Sequence, residues 1–270
     1  MANEMSDPFR VEGPAVISFS GGRTSGYMLR RILDAGLQPD VHVLFANTGK
    51  ERGATLAFVH ECETRWNVQV HWLEMYQHGE YGSACGVDEV DWNRASRDGE
   101  PFSALIGKRR CLPNPAMRFC TQELKIRPMK HWMRERGYEH WSNVVGIRAD
   151  EPRRVAKMRA NEQRERWENV LPLADAGVTL AEVESFWAAQ PFDLQLKPHE
   201  GNCDLCFLKS YDKLKNIVRE RPDLAQWWAD QEARKGDHFR RDRPSYADML
   251  AQGDLFLGFD DEQVECYCHD

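Results

Sequence analysis

The residues of this chain best suited to chemistry are a hydroxyl- and glycine-rich loop and two groups of thiols. The loop, "SFSGGRTSG" from Ser18 to Gly26, follows the apolar run "PAVIS" and precedes "YMLRRIL", which has helical spacing. A strand that enters a Ser/Gly loop and then a helix gathers backbone N–H groups and the positive end of a helix dipole at one spot, where an anion is stabilised. Parallel sheets bind ligands beyond the carboxyl ends of their strands, which is where this loop is expected to fall. The stretch lacks the Lys-Ser/Thr ending of a Walker loop. Ser18, Ser20, Gly21, Gly22, Arg23, Thr24 and Ser25 are therefore expected at a phosphate site, with Arg23 adding a charge suited to phosphate or sulfate.

Eight cysteines stand in the chain. "CLPNPAMRFCTQELKIRPM" holds Cys111 and Cys120, and "GNCDLCFLK" holds Cys203 and Cys206. A C-x2-C pair presents two thiolates to one metal, and a second pair brought close by folding completes a site of four thiolates. Structural zinc and a 4Fe-4S cluster both satisfy that count. The first residues carry no apolar signal core, so a cytoplasmic protein is expected, whose thiols stay reduced and form no disulfide framework. Cys62, within a helical pattern, reads as a small core residue.

The 270 residues suffice for a sizeable core, and 41% are apolar. No apolar run approaches the roughly 20 residues of a membrane span, so no membrane partner is expected. The formal charge of −7 is unevenly distributed: Lys108 to Arg166 holds 16 Lys/Arg against seven Asp/Glu, a net +9. Such a run is a solvated helical face or the seat of an anionic ligand.

The elements that must position these groups alternate. "AVISF", "SGYMLRRILDAG", "VHVLFAN", "TLAFVHECETRW" and "VQVHWLEM" predict a βαβαβ order, and hence an α/β fold with a doubly wound, mostly parallel sheet. Tyr76 to about Pro115 reads as a long irregular stretch. A helix ending at Gly137 is expected from "RFCTQELKIRPMKHWMRERG", with Pro128 a kink or break, then a strand at "WSNVVGI". Helical patterns at "TLAEVESFWAAQ" and "SYDKLKNIVRERPDLAQWWADQEARKG" give a helical C-terminal portion before an acidic tail. The expected division is residues 1–175 for nucleotide binding and 176–270 for a helical region completing the four-cysteine site.

Taken together, "SFSGGRTSG", "FANTGKE" and "GIRADEPRR" resemble, in order and at comparable strand ends, the SGGxDS loop, Thr-Gly segment and Gly-x-Arg segment of the PP-loop ATP pyrophosphatases and the related phosphoadenylylsulfate (PAPS) and adenylylsulfate reductase family. The resemblance covers roughly Ala15 to Arg154 and implies an adenine nucleotide as substrate, contacted also by Asn47, Thr48, Gly49, Glu51 and Gly146, with Arg148 neutralising anionic groups. Thr24 stands where ATP pyrophosphatases carry Asp, which bears on the handling of Mg²⁺ and ATP. "CTQELKIRPM" is similar to the cysteine-bearing helix of adenylylsulfate reductases, and "CDLC" to their later Cys-x-x-Cys. By that likeness Cys111, Cys120, Cys203 and Cys206 hold a 4Fe-4S cluster, with zinc the alternative, and Lys125 lies near both cluster and substrate. The family's tandem cysteines are adjacent, whereas eight residues separate Cys111 from Cys120. The terminal "VECYCHD" partly matches the family's C-terminal Glu-Cys-Gly-Leu/Ile-His segment, which makes Cys266 the implied nucleophile, with His269 nearby and Cys268 a second thiol.

Three functions follow as expectations. The first is thiol-dependent reduction of a sulfonucleotide, with a thioredoxin-like partner as reductant. The second is cleavage of ATP to adenylate a target for sulfur insertion, the target being a nucleic acid engaged by the +9 segment. The third is a non-catalytic, zinc-stabilised interaction module.

Overall fold

Side chains alternate across a strand, so a sheet covered by helices on both faces needs strands that are apolar on both. The structure, a computed structural model, describes residues 7–77, 85–160 and 165–252. Its elements in chain order are β1 (Ala15–Ser18), α1 (Arg23–Ala35), β2 (Val41–Ala46), α2 (Gly53–Arg65), β3 (Val70–Gln77), β4 (Cys85–Val90), α3 (Glu100–Arg109), a π-helical turn (Thr121–Ile126) continuous with α4 (Arg127–Glu135), β5 (Trp141–Val145), α5 (Pro152–Ala160), β6 (Trp167–Val170), α6 (Pro172–Asp175), α7 (Leu180–Ala188), α8 (Tyr211–Glu220), α9 (Pro222–Lys235) and α10 (Tyr246–Gln252).

Within β1, Ala15 and Ile17 pack with Met28, Leu29, Val43 and Phe45 on one face. Val16 packs with Leu44, Leu73, Trp132 and Met133 on the other. Among the described residues the sheet runs β4-β3-β2-β1-β5-β6. All neighbours are parallel except β3 and β4. The chain leaves β1 for β2 on one side and later returns to β5 on the other, so the strand order reverses at β1. That reversal opens a crevice at the carboxyl ends of β1 and β5, the usual place for a ligand in such sheets.

Three local expectations are corrected. The stretch from Tyr76 to Pro115 contains β4 and α3 rather than only irregular chain. The helix was signalled by Phe102, Leu105 and Ile106 at helical spacing, all three buried. The long C-terminal helical pattern divides at Arg221, because Pro222 has no N–H to continue α8 and instead opens α9. Pro128 sits in the first turn of α4, where its ring is tolerated, and the irregularity precedes it as the π turn.

Packing does not divide at residue 175. Helix α7, begun by a capping box between Thr179 and Glu182, lies on α1: Phe186 meets Tyr27 with ring centroids 5.0 Å apart, and Trp187 meets Phe58 at 4.8 Å. A second cluster joins Met75, Phe102 and Leu124 to Leu205, Trp228 and Phe239 of the last third. A Cβ on Gly26 would sit 2.8 Å from the Trp187 ring and 3.2 Å from Phe58. Both rings are buried, so Gly26→Ala is expected to destabilise the fold by about 1–3 kcal/mol, read as a lower urea midpoint at unchanged slope.

Candidate active site

The loop after β1 is shaped by contacts that only small residues permit. Gly21 has φ +79°, and a Cβ there would lie 2.7 Å from Thr55. Gly146, just past β5, lies against Ser25, so that a Cβ on it would approach the Ser25 Cα to 3.2 Å. Gly22 precedes α1, and its carbonyl accepts the Gly26 N–H at 2.9 Å and the Ser25 hydroxyl at 3.0 Å. The Ser20 and Ser25 hydroxyls are 2.9 Å apart, and Ser18 donates to Asn143 Oδ1 at 2.8 Å. The first turn of α1 contains no acidic residue.

A cavity of about 530 Å³ opens over this loop. Ser18, Ser20, Ser25 and Gly146 form its floor, Ile126, Met129, Ile147 and Met158 give apolar walls, and Arg118, Lys125, Arg154 and Lys157 bring positive charge. Among the described residues no Asp or Glu lines it. A concave, part-apolar and cationic chamber at a sheet's switch point suits a nucleotide with its anionic groups on the loop.

Several expected ligands face elsewhere. Arg23 donates through Nε and Nη2 to the two Asp193 oxygens, 2.7 Å each, and to the Leu194 carbonyl at 2.7 Å. Its charge is thus spent on the segment after α7, not on the cavity. Asn47 is fully buried: it donates to Glu74 at 2.5 Å and to the Ser96 carbonyl at 2.9 Å, and its Oδ1 accepts the Gly49 N–H at 3.1 Å. Asn47 therefore braces the turn after β2 against β3. Gly49 turns there with φ +77°. Arg148 donates to the buried Thr24 hydroxyl at 3.0 Å and to Asp150 at 2.9 Å, and so props the loop from outside. Arg118, Asn143, Arg154 and Lys157 line the cavity without having been singled out in the sequence, although Arg154 ends the motif "GIRADEPRR".

The segment carrying the C-x-x-C pair docks beside the loop. Asn202 Nδ2 donates to the Ser20 carbonyl at 3.0 Å, Arg52 N–H to the Asn202 carbonyl at 2.7 Å, and Asp204 N–H to the Lys50 carbonyl at 2.9 Å. Glu51, whose carboxylate is buried, accepts from the Thr48 N–H and hydroxyl at 2.8 Å each and lies 3.4 Å from the Lys125 ammonium. Cys120, Cys203 and Cys206 line a small cavity of about 20 Å³ together with Thr48, Thr121 and Lys125. Lys125 and Thr121 line the large cavity as well, so they stand between thiols and nucleotide site.

Cys111 does not join them. It lines a groove with Leu112, Met117 and residues 237–242. Among the described residues no group of three or more His, Cys, Asp or Glu side chains is arranged to hold a metal ion. Three of the four expected ligands, Cys120, Cys203 and Cys206, thus share one cavity, and Cys111 lines another. Cys62 is buried in the core, where desolvation pushes its thiol far above the ordinary range. Cys266, Cys268 and His269 lie outside the described residues. No helix among the described residues is long and apolar enough to cross a membrane.

A Ser/Gly loop at the switch point of a parallel sheet, beneath a cation-lined cavity, defines a PP-loop nucleotide-binding α/β protein. Residues 14–193 match the phosphoadenosine phosphosulfate reductase domain, and the chain belongs to that family. It is similar to the uncharacterised nin region protein ORF290 of Escherichia phage lambda, 31% identical over 233 residues, covering 83% of this chain and 76% of that one. It is also similar to the uncharacterised protein MJ0066 of Methanocaldococcus jannaschii, 24% identical over 224 residues, 81% of this chain but 41% of that protein. Among solved structures it resembles the phosphoadenylyl-sulfate (PAPS) reductase of Candida auris in its phosphate complex, with TM-score 0.42, 14% identity and coverage of 68% of this chain and 79% of that chain.

Proposed function

We propose that this protein is an enzyme that reduces an adenine sulfonucleotide, releasing sulfite and the nucleotide. The observation that carries the reading is the cavity over the loop, with its four cations and no lining carboxylate among the described residues. A sulfonucleotide places phosphate and sulfate in a row, and a site that neutralises them with Arg and Lys stabilises the charge that moves onto the leaving phosphate. Family membership supports the nucleotide class. Thr24 in place of a carboxylate disfavours ATP cleavage through loop-held Mg²⁺.

In this reading Ser20, Ser25 and the first N–H groups of α1 hold the nucleotide phosphate, and the apolar walls take the base. Lys125 faces the sulfur end, because it alone of the cations also borders the thiols. A cysteine thiolate attacks the sulfur, and an external dithiol of the thioredoxin kind restores the enzyme.

The test is anaerobic incubation of reduced protein with adenylylsulfate, PAPS and ATP separately, with a dithiol, measuring sulfite and pyrophosphate. Sulfite from one of the two sulfonucleotides is the expected result. Pyrophosphate and AMP from ATP without sulfite would overturn the reading in favour of a nucleotide-activating enzyme, and salt-dependent binding of tRNA or DNA would then identify its acceptor.

A further inference from the structure

The structure assigns a second binding site to the crevice, for an uncharged nucleobase distinct from the base held over the Ser/Gly loop. That this base is a second one rests on the adenine-nucleotide reading of the loop cavity given above.

A chamber of about 300 Å³ adjoins the loop cavity. The two have Ser18, Gln122, Ile126, Met129, Asn143 and Met158 in common. Each reaches the size of a small-ligand site, so the second is more than a recess of the first. Side chains two apart on a strand share a face, and one face of β5 and β6 supplies what the second chamber has of its own. Trp141 is the register partner of Trp167, and Asn143 that of Asn169.

The aromatic pair is built as a platform. Trp141 is 6% exposed and packs with Val16, Leu44, Leu73 and Trp132. Trp167 is half-buried and stacks on it, with ring centroids 5.4 Å apart and planes at 30°. An indole held by the core and lining a chamber is a stacking surface for a flat ring of either purine or pyrimidine type.

The two amides keep donors to spare. Ser18 donates to Asn143 Oδ1 at 2.8 Å, Asn143 Nδ2 to Asn169 Oδ1 at 3.0 Å, and Asn169 Nδ2 to the Met158 carbonyl at 3.2 Å. A carbonyl can only accept, which fixes both amides and the direction of the row. Each Nδ2 therefore retains a second N–H that the row does not use. Ring nitrogens and carbonyl oxygens on the edge of a base are the acceptors that match them.

Charge separates the two sites. The loop cavity is lined by four cations and, among the described residues, no carboxylate. In the second chamber the one ammonium among the described residues, Lys130, is matched by Glu165 at 2.7 Å and lies 5.3 Å from the Trp167 ring centroid. Phosphates therefore stay on the loop, and the second chamber takes an uncharged ring.

The experiment uses the full-length protein. ADP is the probe for the loop cavity, its two phosphates standing in for phosphate and sulfate. Cytidine, uncharged and with neighbouring N3 and O2 acceptors, is the probe for the second chamber. Calorimetry up to millimolar cytidine, with and without saturating ADP, is paired with NMR of the indole N–H signals. One cytidine per chain is expected with ADP in place, together with a shift of the Trp167 indole signal. Trp167→Ala should weaken cytidine roughly five- to a hundredfold while ADP affinity stays unchanged, which shows that the variant is folded, and Trp167→Phe should recover most of the loss. Competition between cytidine and ADP for one site, no cytidine binding at millimolar concentration, or equal cytidine affinity in Trp167→Ala overturns the second site and leaves the sulfonucleotide reading to its own sulfite assay. Failure of ADP to bind, with cytidine still held through Trp167, overturns the reading of the loop cavity and leaves the nucleobase site standing.

Discussion

Asp204→Ala is expected to lower stability by about 3–5 kcal/mol, the usual effect of stranding one charge of a buried pair. The Lys50 ammonium and Asp204 carboxylate are 2.8 Å apart, with side chains 6% and 4% exposed. The same carboxylate accepts the Trp228 indole N–H at 2.8 Å and the Leu205 N–H at 2.6 Å. Alanine removes all three contacts at once and leaves Lys50 in a dry site, where the Trp227 ring, 4.8 Å away, offers partial compensation. Urea unfolding of the single variant and of Lys50→Met/Asp204→Leu checks the cause. Replacing both charges with apolar groups should recover most of the loss. A single-variant loss below about 1 kcal/mol would mean that the pair behaves as a solvent-screened one.

The second large effect concerns turnover. Lys125→Ala is expected to lower kcat for sulfite formation by about a hundred- to a thousandfold, the typical consequence of removing one preorganised group that stabilises developing charge. Its ammonium is 3.4 Å from Glu51, and its side chain is 18% exposed. It borders both the nucleotide cavity and the thiols, a position no other cation of the cavity shares. Lys125→Arg keeps the charge in a different shape and should recover part of the rate. Steady-state kinetics separates the roles: a rise in KM alone would reduce Lys125 to a ground-state binding residue.

What was legible in the sequence was what is local. The Ser/Gly loop, the Thr-Gly turn after β2 and the alternation of strands with helices are written in neighbouring residues, and the mostly parallel sheet is as expected. Side-chain direction was not legible, because distant partners set it. Arg23 looked available for an anion until Asp193, 170 positions away, took it. Asn47 sits in a ligand-like motif yet is consumed by Glu74 on the parallel neighbour β3 and by the Ser96 carbonyl, which follows β4 in the chain. The family resemblance grouped Cys111 with Cys120 despite the eight residues between them, but three-dimensional packing places Cys120 with the C-x-x-C pair and Cys111 in another groove. Arg154 and Lys157 were hidden within a run of charge on α5, where a solvated face and a binding wall look alike in one dimension.

The docking of Asn202 on Ser20 spans 182 positions, and the meeting of Cys203 with Glu51 spans 152. A chain made from its N-terminus and folding as it emerges completes its sheet and phosphate loop well before these partners leave the ribosome. The contacts of longest sequence separation are also the slowest to close. The nascent protein therefore holds a formed anion site with Cys120 near it but without the C-x-x-C pair, and this corner is completed only after the segment around Cys203 has followed.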